Sequence, residues 1–234
     1  MTDNRGVFTL RKIIEDRVPL DRWVDLQEVW VNSQDDSESL RFNDNLVSYN
    51  TGYFGGGLDS DDDEVATMDK LSYSSDTTAA VPGAALSLAR NALAATGNST
   101  AGYFGGGDNG PSNVTTMDKL SYSDDTRSTL PASGRLSAAK KYLAATGNST
   151  AGYFGGGIDS DADVVSTMDK VTYASDTTAA VPGAALSVGR FGLAATGNST
   201  AGYFGGGDNG PSNVTTMDKV TYASDTTAAV PGAA

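Results

Sequence analysis

Residues 191–207 read FGLAATGNSTAGYFGGG; AGYFGGG stands at 101–107, 151–157 and 201–207, and TGYFGGG at 51–57. In 191–207 two short apolar runs, FGLAAT and TAGYF, flank Gly197-Asn198. That pair accepts positive φ and marks a hairpin turn. A variable loop then leads to a second signature, STMDKVTYA at 166–174 in the third copy. Its period-2 alternation places Met168, Lys170, Thr172 and Ala174 on one face and Thr167, Asp169, Val171 and Tyr173 on the other. Ser-Asp-Thr signals another turn, and AAVPGAALS (179–187) predicts a last strand interrupted by Pro-Gly, as suits an outer edge. Four strands in about 50 residues predict an all-β chain built of propeller blades.

The period runs through 51–100, 101–150, 151–200 and a partial 201–234. A unit this short cannot bury its own apolar face, so neighbours must stack. The copies alternate: LDSDDDEV and IDSDADVV follow the glycines in the first and third, DNGPSNV in the second and fourth. Duplication of a unit of about 100 residues, itself a doubled fifty, accounts for this. Ala-rich PGAALSLARNALAAT (82–96) offers a helical alternative. Gly, Thr, Ser and Pro punctuate every such run, however, and no copy sustains a 3.6-residue stripe.

The repeat resembles kelch repeats. The diglycine of that family matches Gly55, Gly56 and Gly57 and, in later copies, Gly105, Gly106, Gly107, Gly155, Gly156, Gly157, Gly205, Gly206 and Gly207. The family Tyr matches Tyr73, Tyr122, Tyr173 and Tyr222; its inter-blade Arg matches Arg90 and Arg190, with Lys140 between them. The family Trp is replaced by Ala79, Thr129, Ala179 and Ala228, which implies different packing between blades. The string GYFGGG…STMDKVTYASDT…LS..R..LAATGNS is also similar to kelch-like repeats in virion structural proteins, tail fibres among them, of phages infecting cyanobacteria. GVFTLRKI near the start resembles the opening of several phage tail and capsid-attached proteins.

Composition narrows the chemistry. A net charge of −13 opposes binding to nucleic acid phosphate or anionic lipid, so neither partner is expected. The chain has no Cys and no His, which removes disulfides, thiolate nucleophiles, Cys/His zinc sites and histidine bases. No run of about 18 apolar residues predicts membrane insertion, and the first residues show no secretory signal. An extracellular destination would then follow host lysis.

A glycine at the end of the second strand allows close approach of a neighbouring blade and an unusual φ. A phosphate-binding loop would need a following helix with Lys and Ser or Thr, and GYFGGGDNGPSNV supplies neither. Asp59, Asp61 and Asp63, and again Asp159, Asp161 and Asp163, have the D-x-D-x-D spacing that can converge on Ca²⁺. The EF-hand pattern is broken, because the turn glycine is missing and Lys70 or Lys170 stands where a bidentate Glu would be. The alternatives are a solvated acidic loop and a Ca²⁺ site; no other cofactor is expected. Asn98, Asn148 and Asn198 head N-S-T sequons, with N-V-T at 113–115 and 213–215, and recurrence with the period reads as turn chemistry. Every Asp and Ser of the repeat is duplicated and no unique polar cluster stands out, so catalysis is not expected. Two-carboxylate glycoside hydrolysis is the one enzymatic alternative on such a scaffold.

Residues 1–31 differ. Val7, Phe8, Leu10, Ile13, Ile14, Leu20, Trp23, Leu26 and Trp30 fit two short amphipathic helices broken at Pro19. Both tryptophans of the chain lie here, which suggests an anchor docking on another protein, with a cap over the repeats as the alternative. Residues 32–50 read as a polar linker. The resemblance implies a non-enzymatic virion protein, a tail fibre or tail-associated adhesin contacting a host surface glycan or protein. Its alternatives are a capsid or neck decoration and a cellular kelch interaction module. Three full copies and part of a fourth are fewer than kelch propellers usually close with, which suggests a continuing chain or several chains forming a ring or fibre, a homo-oligomer.

Overall fold

The computed structural model describes residues 29–31, 40–42 and 51–232, and the chain divides into Met1–Ser48 and Tyr49–Ala234. In the first unit β1 (Val29–Val31) pairs antiparallel with β2 (Leu40–Phe42), Trp30 opposite Arg41. Two expectations are corrected here. Trp30 lies on a strand and not on a helix, and residues 40–42 interrupt the expected linker. Val-Trp-Val and Leu-Arg-Phe combine β-branched, aromatic and apolar residues that fit a pleated surface. Val7, Phe8, Leu10, Ile13, Ile14, Leu20, Trp23 and Leu26 lie outside the described residues.

The second unit is a succession of small antiparallel sheets. The first contains β3 (Thr51–Gly55), β4 (Met68–Ser72) and β5 (Thr77–Ala80). The second runs β6 (Ala94–Gly97), β7 (Ala101–Gly105), β8 (Met117–Ser121) and β9 (Thr126–Thr129). Next, β10 (Lys140–Lys141) pairs across the repeat with β13 (Ile158–Asp159). The third sheet is β11 (Ala144–Gly147), β12 (Ala151–Gly155), β14 (Met168–Thr172) and β15 (Thr177–Ala180). The fourth is β16 (Ala194–Gly197), β17 (Ala201–Gly205), β18 (Met217–Thr221) and β19 (Thr226–Ala229).

Each complete sheet takes its first strand from the tail of the preceding sequence copy, so the fold's unit is offset from the repeated string. Asn198 shows how the hairpin closes: its Oδ1 accepts hydrogen bonds from Thr200 N at 2.8 Å and Ala201 N at 3.0 Å. Asn98 and Asn148 do the same, so the turn reading of these asparagines holds. The outer strand ends earlier than expected. It spans Thr177–Ala180, and Pro182–Ala184 forms a 3-10 turn in place of continued strand. Proline cannot donate to the ladder, and its φ favours the turn.

Strand alternation gives each sheet two different faces. In the second sheet Tyr103 sits opposite Lys119 and Phe104 opposite Asp118. Tyr103, Lys119 and Met117 face forward, toward the third sheet; Phe104, Asp118, Leu120 and Tyr122 face back toward the first. Three apolar clusters follow, each formed between consecutive sheets, as with Met68, Leu86, Phe104 and Leu120 between the first and second. The expected alternation of 166–174 is kept: Met168 and Lys170 face the following sheet and Asp169, Val171 and Tyr173 the preceding one. Met168 is buried as well, at 2% exposure, because the following sheet covers its side.

Candidate functional site

The chemistry-bearing side chains converge on the seams between sheets. At the seam of the second and third, the Tyr103 hydroxyl donates to Asp176 Oδ1 at 2.7 Å and Lys119 Nζ to the same carboxylate at 2.8 and 2.9 Å. Tyr53 and Lys70 bind Asp125 in the same way at the preceding seam, and Tyr153 and Lys170 bind Asp225 at the following one. Each Asp sits in the tight turn after the third strand with φ of 52–55°, a left-handed conformation that Asp tolerates better than most residues. Burial opposes ionisation of Asp125 and Asp225, but hydrogen bonds from Tyr and Lys outweigh it and hold both carboxyls below the ordinary value. Lys70 is raised, chiefly by its hydrogen bond to Asp125.

Tyrosines stack across each seam, with ring centroids 5.2 Å apart for Tyr53–Tyr122, 4.7 Å for Tyr103–Tyr173 and 4.9 Å for Tyr153–Tyr222. Burial pushes the Tyr173 hydroxyl up to about 12. Tyr122, Tyr173 and Tyr222, three of the four tyrosines singled out in the sequence, therefore form part of the seams, whereas Tyr73 is exposed.

Deeper in each seam lies a buried ion pair. Arg90 Nη1 meets Asp118 Oδ2 at 2.9 Å, Arg190 Nη2 meets Asp218 Oδ2 at 2.9 Å, and all four side chains are fully buried. Lys140 Nζ lies 3.1 Å from Asp169 Oδ2, off the hydrogen-bonding direction, and donates instead to the carbonyls of Phe154 and Thr167 at 3.4 and 3.3 Å. Burial lowers the Lys140 ammonium below its ordinary range, and Asp169 opposes that shift. The carboxylates of Asp118 and Asp169 also accept from the connecting segments, through Ser87 N and Ser137 N.

The glycines stand where these elements cross. A Cβ on Gly155 would lie 2.6 Å from Met168 Cε and 3.2 Å from Phe204 of the next sheet. Gly156 has φ of +70°, and its Cβ would stand 2.5 Å from the Arg190 carbonyl oxygen. The close neighbour of Gly156 is thus the connecting segment and not the adjacent sheet. Gly157 N donates to that same carbonyl at 2.8 Å. The glycine triplet therefore ties the second strand to the connector that carries the buried cation. Gly55, Gly56, Gly57, Gly105, Gly106, Gly107, Gly205, Gly206 and Gly207 hold the equivalent strand positions, but a Cβ on Gly57 or Gly206 would meet nothing within 4 Å and one on Gly205 only Met217 of its own sheet.

The acidic loops do not converge. Asp159 Oδ1 accepts from Asp161 N and Asp163 N, both at 3.0 Å, and Asp59 Oδ1 serves Asp61 N and Asp63 N alike. The first Asp of each triplet is thus a turn-capping acceptor. No group of three or more acidic residues among the described residues is placed to hold a metal ion.

Sequence reasoning did not single out Phe54, Phe104, Phe154 and Phe204, the Asp of each turn, or the Tyr of each GYF as seam residues. Their recurrence with the period was the available signal. Phe104, Phe154 and Phe204 are 5%, 0% and 0% exposed, each inserted against Met and Gly of the preceding sheet. No protein-family model and no curated protein matches the chain.

Proposed function

We propose that this chain is a non-enzymatic phage virion protein, a kelch-like array of blades attached to the particle through residues 1–31. The leading role is a tail fibre or tail-associated adhesin. The observation that carries this reading is the repeat itself: similar sheets whose Tyr, Lys, Asp, Arg and Gly are committed to the seams between them. Such a scaffold presents loops and is not built around a reaction centre. The likeness of GYFGGG…STMDKVTYASDT to kelch-like virion repeats supports the phage setting, and a net charge of −13 disfavours nucleic acid and anionic lipid as partners.

A protein starting at Asn50 tests the attachment. Tryptophan anchors at such interfaces contribute about 2 kcal/mol or more, roughly thirtyfold in affinity. The truncated protein should fail to enter particles while keeping β-rich circular dichroism and its melting temperature. A truncated protein that unfolds or aggregates makes residues 1–31 a cap and overturns the anchor.

A further inference from the structure

One residue of the repeat works against the fold that holds it. Ala92, Tyr142 and Gly192 occupy the same place in successive connectors, each with positive φ, of 51°, 56° and 62°. Tyr142 N donates to Ala92 O at 2.8 Å and Gly192 N to Tyr142 O at 2.9 Å, which ties the three backbones together. Left-handed backbone suits glycine and strains a bulky side chain. Burial does not offset that strain, since Tyr142 is 45% exposed. A connector lies on either side of it, so this exposure is not that of a terminal sheet. The tyrosine also stands apart from the seams, where other tyrosines stack in pairs. Its ring is nevertheless held in place. Phe191 lies 6.2 Å away at 51°, and Lys141 Nζ, paired with Asp108, stands 5.7 Å from the ring centre. A strained, exposed and positioned aromatic side chain serves what it meets outside the fold.

We propose that Tyr142 is the stacking platform of a site for an uncharged saccharide. What surrounds the ring selects this chemistry. The Lys141 ammonium over the ring disfavours a cation there. Carboxylates disfavour an anion: Lys141 lies opposite Ile158, where the loop carrying Asp159, Asp161 and Asp163 begins, and the net charge is −13. The surface is open, so a wholly apolar ligand would keep most of its area in water. A sugar ring meets all three conditions. One face of C–H groups covers the rigid, amphipathic tyrosine, and its rim of hydroxyls stays hydrated or meets neighbouring polar groups. This ligand class rests on the adhesin reading for its setting, whereas the binding is a property of the isolated chain.

The test is saturation-transfer NMR on the full 234-residue chain in mildly acidic buffer. The probes are the methyl glycosides of glucose, galactose, mannose and N-acetylglucosamine, with glucuronate and glucosamine as charged counterparts. The expected result is saturation of C–H protons on one face of at least one neutral glycoside, with both charged probes bound more weakly. Tyr142→Gly should weaken binding about fivefold or more, and Tyr142→Phe should retain it, because the ring face makes the contact. Gly192 shows that the position accepts glycine, so Tyr142→Gly should melt no lower than the parent. A chain that binds no neutral glycoside overturns the inference, as does binding unchanged in Tyr142→Gly. Equal or tighter binding of either charged probe overturns it too. A lower melting temperature in Tyr142→Gly would show that the ring serves the fold, with the same consequence. Attachment to particles is read separately by the protein starting at Asn50, so a chain that enters particles and binds no glycoside loses this site alone.

Discussion

Lys140 is the informative position at which to break a seam. Replacing it with Met keeps the apolar stem but removes the cation beside Asp169, which is 0% exposed. Two carbonyls, of Phe154 and Thr167, lose a donor at the same time. Removing one partner of a buried pair costs about 3–5 kcal/mol, because the other charge stays desolvated and uncompensated. For a unit of this size each kcal/mol lowers Tm by about 2–4 °C, so Lys140→Met should melt some 6–20 °C below the parent. Lys140→Arg is the control. Arg90 and Arg190 fill the same place in the neighbouring copies and reach both a carboxylate and the carbonyl of Phe104 or Phe204, so this variant should stay within about 1 kcal/mol of the parent. Adding Asp169→Asn to Lys140→Met should recover about 1–2 kcal/mol, since a neutral amide is cheaper to bury than a carboxylate and its oxygen still accepts from Ser137 N. Urea unfolding followed by circular dichroism reads all three. A loss below about 1 kcal/mol for Lys140→Met would show that the pair is not closed off from water, and the account of the seam would fail.

Gly156→Val should cost on the order of 1–3 kcal/mol in backbone strain plus overpacking against the Arg190 carbonyl, whereas Asp161→Ala, exposed in its loop, should cost less than about 0.5 kcal/mol; equal melting of the two would refute the crossing described for the triplet. The pH response follows from Asp125 and Asp225, whose folded carboxyls lie below the ordinary value. Their contribution is complete above the unfolded pKa of about 3.9 and is lost as pH falls below it through the folded value. Tm should therefore drop between pH 5 and pH 3, and less steeply in Asp125→Asn/Asp225→Asn. Both carboxylates are about a third exposed, so each contributes no more than about 1 kcal/mol; an unchanged slope in the double variant would contradict the assignment.

The repeated part of the fold was legible because its signals are local. Gly197-Asn198 and the period-2 pattern of 166–174 mark hairpin and strand from neighbouring residues alone, and both elements form. The positive φ expected of the pair does not, because Gly197 ends its strand and Asn198 closes the turn through its side chain. The outer strand misled because the valine and alanines of AAVPGAALS look continuous, while Pro182 ends the strand and starts a turn. The first unit misled for a related reason. Leu20, Trp23, Leu26 and Trp30 satisfy helical spacing, yet Val29–Val31 is also a strong strand sequence, and its pairing with Leu40–Phe42 is non-local. Periodicity over so few residues does not separate the two.

What the seams do was hidden for a geometrical reason. Tyr153 and Phe154 are neighbours in sequence and look like one aromatic pair, but a pleated strand sends them to opposite faces. Tyr153 goes forward to Asp225 of the next sheet, and Phe154 goes back to Gly105 and Met117 of the one before. Asp225 lies 72 residues ahead of Tyr153, and Gly105 about one period behind Phe154, so no window within one copy contains them. Two aromatic residues at consecutive positions thus give every sheet a donor face and an acceptor face.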